Sequence, residues 1–321
     1  MDMSVGVELG QFALGLLLLV LGADSFVRGA SGLAIRFGIS PFVVGLVLVG
    51  LGTSAPELSV NLTAAFAGRY EMAIGNVVGS NIANIGLILG VSALIAPLAV
   101  NARLVRIEVP LVIAVSVGLW LLSLDGLIGR IDAVILLIGL AGLLVLIARD
   151  SKRESTQVQD ELTEAANTQS GLKLNLIRLV AGLALLLYGS QQMVDAAVNL
   201  ATLWGMSELM IGLTIVAIGT SLPELAASAM AAWRGHSDIA LGNVVGSNLF
   251  NILLILGATA AIHPLSVGHS SLRIDLPLMI GFALLLYPIA RSGRVVSRNE
   301  AVLLLAAYAG FLALQFFLAA G

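Results

Sequence analysis

The chain has 321 residues, 59% of them hydrophobic and 11% charged, with a mean hydropathy of +1.03. A soluble domain carries roughly 25% charged residues, so this depletion places most of the chain in lipid. The net charge of −3 argues against a nucleic-acid partner, and the absence of cysteine excludes a disulfide framework, a thiolate metal site and a cysteine nucleophile.

The first apolar run, Phe12 to Leu21, follows Asp2 and Glu8 and no Lys or Arg, so it lacks the basic start of a signal peptide and reads as a retained helix. Runs of spanning length fall at about 8–27, 40–67, 71–98, 104–124 and 128–148. A second set falls at about 174–202, 207–233, 238–264, 272–290 and 299–319. At ~20 residues per span, ten helices fit the length. The expected fold is an all-α integral membrane protein of ten transmembrane helices, built as two five-helix repeats over residues 1–149 and 173–321. An odd number of spans per repeat inserts the second copy upside down. The plan is then the inverted repeat of many secondary transporters, with broken helices around an ion site near the midplane.

Between the halves lies one polar segment, residues 150–172, rich in Ser, Thr, Gln and acids. It lacks apolar periodicity and reads as a flexible cytoplasmic linker, too short to be a regulatory domain. With the N-terminus outside, the inner loops hold Arg28, Arg36, Arg103, Arg106, Arg149, Lys152, Arg153, Lys173, Arg178, Arg234, Arg291, Arg294 and Arg298. The outer loops hold only Arg69, Arg130 and Arg273. That bias predicts both termini outside and the linker inside, in a multi-pass plasma (inner) membrane protein. Asp24 and Arg28, four apart near the inner end of the first helix, read as a structural ion pair.

One motif occurs twice. GLGTSAPEL (Gly50 to Leu58) is followed by GNVVGSNIAN (Gly75 to Asn84); AIGTSLPEL (Ala217 to Leu225) is followed by GNVVGSNLFN (Gly242 to Asn251). Glu57 and Glu224 are 167 positions apart, as are Asn84 and Asn251. The motif regions, 45–90 and 212–257, align without a gap. An intramembrane Glu costs several kcal/mol and is a functional hypothesis by default. A lone one could be a packing group hydrogen-bonded to a neighbour, but the duplication of Glu, Pro, Thr and Ser argues for a site.

Pro56 and Pro223 sit mid-span, where each removes a backbone hydrogen bond and clashes with the preceding turn. Helices broken there expose carbonyls beside hydroxyls and a carboxylate, all hard oxygen ligands. The GNVVGSN segments are expected to form a second break, with Gly75, Gly79, Gly242 and Gly246 allowing either close packing or ion access. Two carboxylates among oxygens suit Ca²⁺, which takes six to eight such ligands in flexible geometry. The motifs hold no His, which disfavours softer metals.

These motifs resemble the two α-repeats of the cation/calcium exchanger superfamily, and within it the prokaryotic sodium/calcium exchanger branch. The resemblance covers both repeats and the ten-helix plan, leaving out the linker and the termini. It implies that Glu57 and Glu224 are the central calcium ligands, with the carbonyls of Thr53 and Thr220. It further implies sodium sites at the Gly50 and Ala217 carbonyls, Ser54, Ser80, Ser221 and Ser247, with the same two glutamates and with Asn84 and Asn251 lining the centre. Asn76, Asn81, Asn243 and Asn248 are expected to support the site or the breaks. Some relatives carry Asp at the position of Asn251. Here two central carboxylates remain rather than three, which removes one protonation site and makes the expected exchange potassium-independent.

The function expected is a secondary antiporter exchanging Na⁺ for Ca²⁺ by alternating access, electrogenic if more than two Na⁺ move per Ca²⁺. The alternatives are a Ca²⁺/H⁺ antiporter whose glutamates carry protons, and a cation channel with a glutamate selectivity ring. An enzyme is not expected. GNVVGSN lacks the Lys-Ser/Thr ending of a phosphate loop, and GTSAP lacks the pattern of a nucleophile elbow. No cofactor is expected beyond the transported ions, and no obligate protein partner beyond the bilayer.

Overall fold

The computed structural model describes residues 3–165, 171–206 and 217–320. The described residues are almost wholly helical. In chain order the helices are α1 (Met3–Phe37), α2 (Pro41–Thr53), α3 (Ala55–Phe66), α4 (Tyr70–Ile95), α5 (Leu104–Leu122), α6 (Arg130–Ala165) and α7 (Leu172–Leu203). After a helical turn at Ala217–Gly219 come α8 (Leu222–Trp233), α9 (Ser237–Ile262), α10 (Ser271–Arg291) and α11 (Arg298–Ala320). Among the described residues eight helices are long and apolar enough to cross a membrane, or nine if the bent pair α2–α3 is one span. The remaining expected span, 207–233, lies partly outside the described residues.

Local sequence explains the helix ends. Ser40 caps α2 by accepting the Val43 amide at 3.4 Å, with Pro41 in the first turn, where its missing N–H costs nothing. Helices α3 and α8 end alike: Gly68 and Gly235, 167 positions apart, take φ of +70° and +77°. The next amides, of Arg69 and His236, reach back to Ala64 and Ala231 at 2.8 Å. Only glycine adopts that left-handed turn without strain.

Helices α1 and α7 run antiparallel along each other. A Cβ on Gly15, Gly22 or Gly29 would lie within 2.8 Å of the backbone of α7; one on Gly182 would sit 2.4 Å from the Phe26 amide. Small residues let the two backbones touch. Asp24 of α1 pairs with Arg28 at 3.0 Å, as expected, and also with Arg234 at the end of α8. Helices α4 and α9, which carry the GNVVGSN segments, lie inside, whereas α1, α6, α7 and α11 turn much of their apolar surface outward. Ile131, Ile138, Val180 and Phe317 are examples of that outward surface, which is an error in water and normal in lipid.

Two short ladders join the ends of the molecule. Strand β1 (Leu98–Ala99) pairs antiparallel with β4 (Val295–Val296), and β2 (Leu127–Ile128) with β3 (Leu265–Ser266). Each ladder takes one strand from each half.

Two expectations need correction. The GNVVGSN segments do not break their helices: α4 and α9 run through them and pass into a π-helical turn that begins at Asn84 and at Asn251. In α9 the reason is packing. A Cβ on Gly242 or Gly246 would lie 2.5 Å from the Phe42 carbonyl or 2.3 Å from that of Leu46, so these glycines admit the backbone of α2 rather than unwinding their own helix. The polar segment after residue 149 is not a flexible linker from its start, since α6 continues through Ala165. Residues 150–165 contain no Gly or Pro and are rich in Glu, Gln, Lys and Arg, all good helix formers. Residues 166–170 lie outside the described residues.

Candidate functional site

The bend in the first motif is 40°, between α2 and α3, with Ser54 at the joint. Pro56 has no N–H to return to the carbonyl four residues earlier, so the chain turns there. The bend aims the first turn of α3 inward and buries Glu57 to 1% exposure. Glu224 holds the same place in the first turn of α8 and is 2% exposed. Neither motif contains Lys, Arg or His, and neither glutamate has an ion-pair partner among the described residues. Two buried carboxylates without a basic residue are a strong demand for a cation.

Around them the motifs gather neutral oxygens. Ser54 donates to Oε1 of Glu224 at 3.3 Å. Thr53 bonds back to the Val49 carbonyl at 3.0 Å and lies 3.3 Å from Oδ1 of Asn243. Asn84 donates to Oδ1 of Asn248 at 3.0 Å, and Asn251 donates to Oδ1 of Asn81 at 3.3 Å. These last two bonds are the same bond taken twice, since each partner in one is 167 positions from its counterpart in the other. Ser80, Ser221 and Ser247 are buried as well.

Several of these atoms are buried and unpartnered. They are Oε2 of Glu57 and of Glu224, Oγ of Ser221 and of Ser247, Oδ1 of Asn84 and of Asn251, and Nδ2 of Asn248. A buried polar atom without a bond costs about 1–3 kcal/mol, and six of these seven are oxygens. An array of that kind fits a hard cation as cargo.

Not every predicted ligand is equally free. The Gly50 carbonyl accepts the Ser54 amide at 3.1 Å, lies 3.5 Å from the Thr53 hydroxyl and stays within its helix. In the second motif the Ser221 amide turns instead to the Ile218 carbonyl at 3.1 Å. Thr220 is half-buried beside this turn.

A supporting layer completes the site. Asn243 donates to the Glu224 carbonyl at 3.2 Å and to Ser228 at 2.8 Å. Asn76 donates to Asn61 at 2.7 Å, and Asn61 to the Ala73 carbonyl at 3.0 Å. Each asparagine ties the glutamate-bearing helix to the helix after it. Asn61 and Ser228 were not anticipated. Their signal was present: both are polar residues in apolar runs, 167 positions apart and four after a motif glutamate.

The chain was compared with known proteins. The family described as sodium/calcium exchanger protein matches residues 7–149 and 174–317. A putative antiporter CaxA from Alkalimonas amylolytica is 42% identical over 94% of this chain and 96% of its own length. The sodium/calcium exchanger MaX1 of Methanosarcina acetivorans is 34% identical over 95% and 97%. A solved structure of the sodium-calcium exchanger NCX_Mj superposes with a TM-score of 0.80 at 32% identity, covering 96% of this chain and 98% of that one. The chain is thus a membrane protein of the antiporter kind, and it belongs to the sodium/calcium exchanger family.

Proposed function

We propose that the protein exchanges Na⁺ for Ca²⁺ by alternating access, with both ions competing for oxygens around Glu57 and Glu224. The observation that carries this reading is the set of unpartnered buried oxygens beside two glutamates that lack any basic partner. Calcium would be held by the two carboxylates and the carbonyls of Thr53 and Thr220. Sodium would use the hydroxyls of Ser54, Ser80, Ser221 and Ser247, the carbonyls of Gly50 and Ala217, and the amide oxygens of Asn84 and Asn251.

Either cargo neutralises the carboxylates. An empty site leaves two like charges in a low dielectric, which penalises closure and suppresses uncoupled leak. With more than two Na⁺ per Ca²⁺ the cycle moves net charge and responds to voltage by about 2.3 kcal/mol per charge per 100 mV. Two carboxylates rather than three favour potassium-independent exchange.

The architecture proposed for this cycle is ten spans in two inverted repeats, 1–149 and 173–321. The reciprocal asparagine bonds and the two half-to-half ladders support it. The Lys and Arg distribution supports both termini outside a plasma membrane, with residues 150–172 cytoplasmic.

Radioactive calcium uptake into proteoliposomes loaded with Na⁺, against vesicles loaded with choline under a pH gradient, tests the coupling. Uptake that needs internal Na⁺ is the expected result. Uptake driven by the pH gradient alone would replace this reading with Ca²⁺/H⁺ exchange.

A further inference from the structure

At one end of the molecule, away from the glutamates, the start of α5 and the end of α10 enclose a cavity of about 490 Å³. Arg106, Arg291 and Arg294 line it, with Tyr287 and the apolar sides of Ala102, Val105 and Pro110. None of the three arginines has an ion pair among the described residues. Neighbouring arginines are otherwise engaged: Arg103 holds Glu108 at 2.5 Å, and Arg298 reaches the Leu94 carbonyl at 3.2 Å. Three unpaired guanidinium groups around one hollow attract a multivalent anion.

The two halves differ here in an informative way. Position 291 corresponds to Leu124 and position 287 to Trp120, both 167 earlier. At the two ladders, Val100 takes the carbonyl of Arg294 at 2.8 Å, while Val267 takes that of Gly126 at 2.9 Å. Gly126 is the left-handed residue of the first-half turn, at φ +82°, whereas the second-half turn takes two in succession, Gly293 at φ +60° and Arg294 at φ +53°; the extra left-handed position is filled by an arginine. The first half closes its ladder through Gly126 with no arginine at the turn, so the ladder itself does not require Arg291 or Arg294.

The surroundings suit a lipid. Leu284, two turns before Arg291 and on the same helical face, is 51% exposed, and Ile107 beside Arg106 is 42% exposed. The result is an apolar track leading away from a cationic end, with the Tyr287 hydroxyl 3.5 Å from Arg291 between them. We propose that this pocket binds the phosphate of an anionic phospholipid head group, its acyl chain lying along α5 and α10. Basic pockets at the ends of membrane spans take such head groups, and the charge distribution of the loops assigns this end to the cytoplasmic leaflet.

The test is lipid retention by the full-length protein in detergent. Native mass spectrometry would follow phosphatidylglycerol and phosphatidylcholine, with inorganic phosphate as competitor. Wild type is expected to hold phosphatidylglycerol in preference to phosphatidylcholine, and each arginine removed to weaken that retention about fivefold. The variants are R106Q, R291Q and R294G; R294G places glycine at a left-handed φ of +53°, so it is expected to fold at least as well as wild type. R273Q, at the position equivalent to Arg106 in the other half, is expected to retain lipid like wild type. Equal retention of both lipids by wild type, or unchanged retention in R294G and R106Q, would overturn the site. Displacement by millimolar inorganic phosphate would overturn the lipid in favour of a free anion.

Discussion

Ser54 Oγ lies 3.3 Å from Oε1 of Glu224, although the two residues are 170 positions apart in the chain. A hydroxyl from the first motif thus serves the carboxylate of the second. The favour is not returned: the hydroxyl of Ser221, the equivalent of Ser54, is buried without a partner. The two motifs are alike in sequence and unlike in bonding. Ser54→Ala removes a bond to a buried carboxylate and is expected to destabilise the protein by about 1–3 kcal/mol. Ser221→Ala should leave stability unchanged. Both should raise the Na⁺ concentration needed for half-maximal exchange. Thermal melts beside Na⁺ titrations separate the two effects, and equal melting losses in both variants would contradict the asymmetry.

Glu57→Gln and Glu224→Gln keep shape and hydrogen-bonding capacity while removing charge. Each is expected to lower calcium exchange at least about thirtyfold, since truncating a buried charged contact costs 2–5 kcal/mol or more. The melting temperature should not fall, because like charges are relieved when one is removed. Vesicle uptake and a thermal melt on one preparation give both numbers. Exchange at the wild-type rate in either variant would remove that glutamate from the site.

Asn251 donates its amide N–H to Asn81 at 3.3 Å. In Asn251→Asp the new group can keep that bond only when protonated, and its ionised form adds a third carboxylate to the pair. Exchange by this variant should therefore depend more steeply on pH than wild-type exchange between neutral and mildly acid conditions. Initial rates across that range check it, and parallel profiles would place Asn251 outside the centre.

The glycine contacts predict a graded series. Ala at Gly246 would meet the Leu46 carbonyl at 2.3 Å, and Ala at Gly182 would meet the Phe26 amide at 2.4 Å. Both obstacles are backbone and cannot rotate away. Overpacking of this kind costs about 1–3 kcal/mol, so Gly246→Ala and Gly182→Ala should lose stability in a detergent melt. Gly310→Ala, with nothing within 4 Å of the new methyl, is the neutral control.

The sequence made the chemistry of the site legible because carboxylates, hydroxyls and amides are rare in lipid and these occur twice. Pro56 announced its bend because it follows Gly52, Thr53 and Ser54 in mid-span, whereas α5 and α10 run unbroken through Pro110 and Pro277. The glycines of GNVVGSN were harder. Gly246 could mean a loosened helix or a close neighbour, and only the position of Leu46 decides between them. The π-helical turn at Asn84 has no local signature, because it depends on how α4 meets its neighbours. The start of the polar segment misled for the opposite reason: it lacks an apolar stripe, yet its residue types favour a helix.

The crossing of contacts between the halves bears on how the protein is made. Gly242 and Gly246 of α9 seat α2, and each terminal ladder needs a strand from either half. Glu57 emerges from the ribosome 167 residues before Glu224. At 5–20 residues per second that interval is roughly 8–33 s. During it the first half rests in the bilayer with its carboxylate, its glycine surfaces and one strand of each ladder unmatched. A half-molecule with these surfaces open therefore exists for that interval in every round of synthesis. Its survival depends on how well a lone intramembrane glutamate can reach water until its counterpart arrives.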